Sequence, residues 1–149
     1  MRFPDIFSPM DIPDEITVSV LAKAKVIAVV GASPNPKCPS NAVTRYLIDQ
    51  GFEVIPVRPK VSEILGRKCF ASLEDIPVKV DIVDVFRKSE ACPKIASASV
   101  VIGAKALWLQ EGIVNEDAAR IAREGGLSVV MDSCIQKIHK KMEKTERRP

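Results

Sequence analysis

Residues Val26-Ile27-Ala28-Val29-Val30 form an unbroken apolar run, rich in β-branched side chains, that ends at Gly31. A strand wetted on one face alternates polar and apolar residues, whereas a continuous run marks a strand covered on both faces. Comparable runs return at Glu53–Val57, Val80–Phe86, Lys105–Leu109 and Leu127–Met131. Helical stretches separate them, each with its own punctuation. Asp14 is placed to cap a short helix through about Lys23. Ser40 starts a helix whose buried stripe is Ala42, Val43, Tyr46 and Leu47, and Gly51 stops it. A third helix runs from about Glu90 to Ile102 and closes at Gly103. Asn115 caps a fourth, with Glu116 and Asp117 in its positive first turn and Gly125-Gly126 at its end. A last helix is expected from about Ser133, with Asp132 or Ser133 as its cap, running into a basic tail that holds His139.

Strands alternating with helices imply right-handed crossovers and a parallel sheet. The expected fold class is α/β, a Rossmann-like doubly wound parallel sheet of about five strands, order 3-2-1-4-5, with helices on both faces. A chain of 149 residues, 46% hydrophobic, has the size and the apolar content of one domain. Residues 1–24 are expected to form a leader and short helix packed on a domain of residues 25–142, with 143–149 as a frayed basic tail.

The net charge of +3 suits a small anionic ligand but is too slight to argue for nucleic acid, and five Phe, one Tyr and one Trp are thin for stacking on a single strand. No apolar run approaches the ~20 residues of a membrane span. The first residues carry acids and prolines and lack a signal-peptide core, so a cytoplasmic protein is expected. Cys38, Cys69, Cys92 and Cys134 are irregularly spaced with no C-x-x-C, which speaks for reduced thiols and against zinc. One histidine excludes a histidine-rich metal site.

In a doubly wound sheet, ligands bind beyond the carboxyl ends of the strands, where the strand order reverses. The first strand leads into Gly31-Ala32-Ser33-Pro34-Asn35-Pro36-Lys37-Cys38-Pro39-Ser40-Asn41. Gly31 allows a tight turn and close backbone approach. Ser33, Ser40 and Asn41 offer polar groups, Lys37 offers charge, and a helix start offers free N–H groups to phosphate oxygens. The glycine fingerprint of dinucleotide enzymes and the P-loop are both absent, so a rigid Pro-rich connection without a ligand stands as the other reading. The second strand ends in Val57-Arg58-Pro59-Lys60. An NAD enzyme places an acid there; two cations instead favour a phosphate near the ribose, as in coenzyme A or NADP, or form a merely solvated turn. The third ends in Phe86-Arg87-Lys88, where an apolar ring beside a cation can pack on a base or a pantetheine arm, or simply end a core strand. Asp81 and Asp84, three apart, point to opposite faces of a strand and read as structural rather than as a catalytic pair. Trp108 reads as core, Gln110 and Glu111 as the crevice mouth. Cys134 falls in the first turn of the last helix, where a dipole can lower a thiol pKa, or is an inert buried thiol.

In combination, Gly31-Ala32-Ser33-Pro34-Asn35-Pro36, Pro39-Ser40, Val54-Ile55-Pro56-Val57, Pro59-Lys60, Val83-Asp84-Val85-Phe86-Arg87, Trp108, Gln110, Gly112-Ile113 and Val129 to Cys134 resemble the small single-domain CoA-binding proteins. Their fold is similar to the N-terminal CoA-binding domain of the succinyl-CoA synthetase α subunit. The resemblance covers roughly Lys25 to Cys134. It implies that Gly31, Ala32 and Ser33, with Ser40 and Asn41, hold the diphosphate. Val57, Arg58, Pro59 and Lys60 would flank the adenosine and its 3′-phosphate, Phe86 and Arg87 would line the next part of the cleft, and Gln110 and Gly112 would lie towards the pantetheine. The family more often carries Asn where this chain has Arg58.

The synthetases work through a phosphohistidine and further domains. Here the histidine lies in the tail, and no Ser/His/Asp or Cys/His constellation replaces it. The expectation is therefore non-catalytic binding of CoA or an acyl-CoA, with a homo-oligomer left open. The alternatives are a CoA-binding subunit of an acyl-CoA ligase or transferase, an NADP-binding protein, and a mixed disulfide between Cys134 and CoA.

Overall fold

In the computed structural model, which describes residues 14–146, the chain opens with helix α1 (Glu15–Lys23), where the Asp14 carboxylate accepts the Thr17 N–H at 2.7 Å. It continues as β1 (Val26–Val30), α2 (Pro39–Asp49), β2 (Glu53–Val57), a short hairpin of β3 (Glu63–Ile64) and β4 (Arg67–Lys68), and β5 (Ile82–Val85). Then come α3 (Cys92–Val101), β6 (Ala106–Leu109), α4 (Glu116–Glu124), β7 (Ser128–Val130) and α5 (Ile135–Glu146). The leader, residues 1–13, and residues 147–149 lie outside the described residues.

Five strands make one parallel sheet in the order β2-β1-β5-β6-β7. This is the expected doubly wound pattern, the chain passing from β1 out to β2 and then back across to β5, β6 and β7. The place outside β2, the third in the 3-2-1-4-5 pattern, is taken by one parallel bridge between Val57 and Phe70. The Val80–Phe86 run lies against β1 instead, in the fourth place. The segment after β2 turns back on itself at Leu65 (φ 51°) and Gly66 (φ 73°), the two left-handed residues of a tight hairpin, and of the chain that follows it Phe70 bridges to β2.

Both faces of the sheet are buried, as the continuous apolar runs require. Ile27, Val29, Ile82, Ala106 and Trp108 pack with Leu21 of α1, Val43 and Leu47 of α2, and Ile135 of α5. Ala28, Val30, Val83, Val85, Leu107 and Leu109 pack with Cys92 and Ala96 of α3 and Ala118 and Ala122 of α4. In α2 the stripe holds at Val43 and Leu47 but takes Ser40, Asn41 and Thr44 rather than Ala42, which is exposed. The polar members are accommodated because their side chains bond locally, Thr44 Oγ1 donating to the Ser40 carbonyl and Asn41 Nδ2 to the Ser33 carbonyl.

Two acids behave differently at the β5 run. Asp81 precedes the strand, and its Oδ2 accepts the N–H groups of Lys25 and Val26 at 2.8 and 2.9 Å, anchoring the start of β1. Burial raises its carboxyl, but those bonds and the Lys105 ammonium at 3.4 Å outweigh it and hold the group below its usual value. Asp84 lies inside β5 and is fully buried.

At the other end of the chain, neither Asp132 nor Ser133 is seen to cap α5. The Asp132 carboxylate accepts from the Gly112 N–H at 2.7 Å, and the Ser133 hydroxyl donates to the Met131 carbonyl. His139 is folded in rather than trailing. It is buried, its Nδ1 lies 2.6 Å from the Tyr46 hydroxyl, and its ring meets Tyr46 and Phe52 edge-on, docking α5 against α2.

Candidate functional site

The carboxyl ends of β1, β2, β5 and β6 bring four short connections together. At the end of β1 the Gly31 N–H donates to the Val57 carbonyl, and its φ of 87° turns the chain sharply. The space is tight: a Cβ on Gly31 would stand 2.6 Å from the Phe86 carbonyl oxygen and 3.0 Å from Arg87 Cδ. Only a residue without a side chain lets the first loop pass this close to the end of β5.

The connection that follows is held by its own polar groups. Ser33 Oγ accepts the Asn35 N–H at 3.1 Å, Asn35 Oδ1 accepts the Lys37 N–H at 3.0 Å, and Asn41 Nδ2 reaches back to the Ser33 carbonyl at 2.8 Å. Ala32, Ser33, Ser40 and Asn41 are all buried. The side chains of Ser33 and Asn41 thus brace the loop, and none of Ala32, Ser33, Ser40 and Asn41 lines the cavities beside it. From β2, Arg58 Nη1 donates to the Ala32 carbonyl at 3.2 Å, tying the cationic turn to this loop.

Two cavities open on this side of the sheet. One, of about 360 Å³, is lined by Gly31, Arg58, Pro59, Phe86 and Arg87. The other, of about 350 Å³, is lined by Pro39, Val43, Phe86, Arg87, Gln110, Glu111, Ile113 and Cys134. Phe86 and Arg87 border both, so the two adjoin in one row, polar and cationic at the Arg58 end and mainly apolar at the Cys134 end. Each lies within the ~300–1,000 Å³ typical of small-molecule sites. A larger cavity of about 410 Å³ lies at the opposite end of the sheet, between α1 and the entries to β5, β6 and β7.

Of the residues singled out from sequence, Gly31, Arg58, Pro59, Phe86, Arg87 and Gln110 line this run. Val57 is in the core. Lys37 and Lys60 are exposed beside the run rather than lining it, Lys60 with a φ of 67°. Gly112 is likewise outside the lining, its N–H taken by Asp132. Pro39, Val43 and Ile113 line the apolar end without having been singled out for it; Val43 was legible only as a core position of α2. Cys134 lines it from just before α5 rather than from its first turn. Glu111, at the mouth, is paired with Lys137 at 2.9 Å.

Beneath the apolar end sits Asp84. Its Oδ1 accepts from Gln110 Nε2 at 2.6 Å, and its Oδ2 has no hydrogen-bond partner among the described residues. Burial pushes this carboxyl up to about 7, against the pull of the Gln110 bond. Trp108, its neighbour on β6, is committed to the core, with its indole N–H donating to the Ser133 carbonyl at 2.8 Å.

The family model described as a CoA binding domain matches residues 25–140. YneT, an uncharacterized protein of Bacillus subtilis, is 42% identical over 120 residues, which span 80% of this chain and 89% of that protein. A hypothetical protein from Pyrococcus horikoshii has a solved structure similar to this one, with a TM-score of 0.85 and 38% identity over 92% of this chain and 97% of that one. The ADP-forming acetate–CoA ligase I of Archaeoglobus fulgidus is 29% identical over 125 residues, 77% of this chain but only 18% of the ligase. The chain belongs to the CoA binding domain family.

Proposed function

We propose that this member of the CoA binding domain family binds coenzyme A or an acyl-CoA, without catalysis, across the carboxyl ends of β1, β2, β5 and β6. The observation that carries the reading is that the two cavities adjoin at Phe86 and Arg87. Coenzyme A has the same polarity along its length, phosphates at one end and a thin, largely apolar arm ending in a thiol at the other. Its diphosphate would lie on the Gly31–Ser33 backbone and the start of α2 at Ser40 and Asn41, with Lys37 adding charge. The adenosine would lie against Val57, Arg58, Pro59 and Lys60, with the 3′-phosphate towards the cations of that turn. The pantetheine would pass Phe86 and Arg87 towards Gln110 and Gly112.

A non-catalytic role is supported by the fate of the polar groups near the run. Ser33 and Asn41 brace a loop, Glu111 is paired with Lys137, and His139 is bonded to Tyr46 where α5 meets α2. A cytoplasmic location follows from the ligand. Among the described residues no helix is long and apolar enough to cross a membrane. Self-association is compatible with this arrangement. A second reading, a CoA-binding subunit that acts with a partner chain, is favoured by the similarity to part of an acetate–CoA ligase.

The test is calorimetry with CoA, dephospho-CoA, NADP and NAD in parallel, repeated on Lys60→Ala. Tightest binding of CoA, with the advantage lost on removing the 3′-phosphate or Lys60, supports the reading. Tighter binding of NADP would replace the ligand, and no binding of any of the four would remove the site assignment.

A further inference from the structure

We propose that Asp84 is a positioning residue whose proton decides which end of the Gln110 carboxamide faces the apolar cavity, and hence whether that end of the site favours a free thiol or an acyl thioester. The proposal deepens the CoA reading above and rests on it for the ligand. The device itself is a property of two side chains.

An ionised carboxylate can only accept hydrogen bonds. With Asp84 ionised, Gln110 must turn its Nε2 to Asp84 Oδ1, as it does at 2.6 Å, and its Oε1 is left for the cavity it lines. The cavity then presents an acceptor, which suits a donor such as an amide N–H or a thiol S–H. A protonated Asp84 can donate instead. Gln110 can then turn its carboxamide over, accept that proton at Oε1 and present its NH₂ group to the cavity. An NH₂ group suits the carbonyl oxygen of a thioester. The turnover is a half-rotation about a terminal sp³–sp² torsion, which is soft and roughly two-fold, so it keeps the shape of the side chain.

Two observations make Asp84 suited to this. Its Oδ2 has no hydrogen-bond partner among the described residues, so neither ionisation state is locked by a second bond. Among the described residues no cation is bonded to it, and burial places its titration near neutrality. Its strand neighbours, Val29 on β1 and Trp108 on β6, carry no charge. Around the cavity the titratable and charged groups are Arg87 at the end of β5, Cys134 before α5, and Glu111, which is paired with Lys137 of α5; α2 contributes only Pro39 and Val43.

The experiment has a ligand arm and a ligand-free arm. Calorimetry with CoA and acetyl-CoA from about pH 5.5 to 8.5 gives their affinity ratio, and one hydrogen bond gained or lost is worth about tenfold. The acetyl-CoA preference should fall about tenfold across that range in the wild type and stay flat in Asp84→Asn. NMR of the unliganded protein should show the Asp84 carboxyl carbon and the Gln110 side-chain amide moving with one midpoint. An invariant wild-type ratio would overturn the proposal, as would an Asp84 titration that leaves the Gln110 amide unmoved. Should Asp84→Asn fail to fold, Gln110→Leu decides: it must also flatten the ratio, and a pH dependence retained there refutes the mechanism. If neither ligand binds the wild type, the CoA reading falls and the thiol–thioester half with it, while the NMR arm still accepts or rejects the Asp84–Gln110 couple.

Discussion

Replacing Gly31 by alanine should cost more than its backbone conformation alone predicts. Gly31 sits at φ 87°, and Gly51, at the end of α2, sits at φ 95°. Forcing an alanine into either conformation costs about 1–2 kcal/mol. The two positions differ in their surroundings. A Cβ at Gly51 meets nothing within 4 Å, whereas one at Gly31 meets the Phe86 carbonyl oxygen at 2.6 Å. That oxygen belongs to the backbone beside β5, whose N–H is already bonded to the Val30 carbonyl, so it cannot swing aside as a side chain would. Overpacking of this kind adds about 1–3 kcal/mol. Gly31→Ala should therefore lose roughly 2–5 kcal/mol, against about 1–2 for Gly51→Ala. At about 2–4 °C per kcal/mol for a domain of this size, the gap between the two variants in Tm should be several degrees. Urea unfolding of the wild type and the two variants, checked for a common slope, measures it. Equal losses in the two variants would refute the idea that the close approach to β5, rather than the left-handed turn, is what requires glycine at this position.

The raised Asp84 carboxyl makes stability depend on pH in a definite direction. A folded-state value of about 7 against 3.8 unfolded means that the contribution is full below about 3.8 and is lost as pH rises through about 7. At ~1.4 kcal/mol per pH unit this amounts to about 4 kcal/mol, which Asp84→Asn should abolish; urea midpoints of both proteins from pH 4 to 8 check it. Asn115→Ala removes both a cap on the Ala118 N–H and the Nδ2 bond to the Ser89 carbonyl, and should cost about 2 kcal/mol in the same assay. Trp108→Phe leaves the half-buried Ser133 carbonyl without its indole donor, and should cost about 1 kcal/mol beyond the lost volume.

The strands and caps were legible because each is a local instruction. The run at residues 26–30 and the Glu53–Val57 run have the expected boundaries, and Asp14 and Asn115 cap the helices they precede. What was not legible depends on distant partners. The place beside β2 went to Phe70, in a single bridge that follows a short hairpin, and no periodicity announces that. Ala42 is apolar yet exposed, while Asn41 and Thr44 are buried, because hydrogen bonds back to the backbone relieve the cost of burying a polar group. Asp132 looked like a helix cap, but the Gly112 N–H, twenty residues earlier, claims its carboxylate. Asp84 was readable as structural, and the clue to more was already in the chain: an acid flanked by Val83 and Val85 in the middle of the Val80–Phe86 run. Gln110 was read at the crevice mouth; what could not be read was that it bonds to Asp84 behind that mouth.

The single bridge at Phe70 bears on how this sheet meets other chains. An exposed edge strand is a row of open donors and acceptors, and long ones recruit foreign strands. Here one margin ends in a bridge one residue long and the other in β7, three residues long. Prolongation of the sheet by a second chain would find few backbone groups to zip onto at either margin. The fold thus discourages growth by strand addition, and leaves the helical faces as the natural ground for contact between molecules.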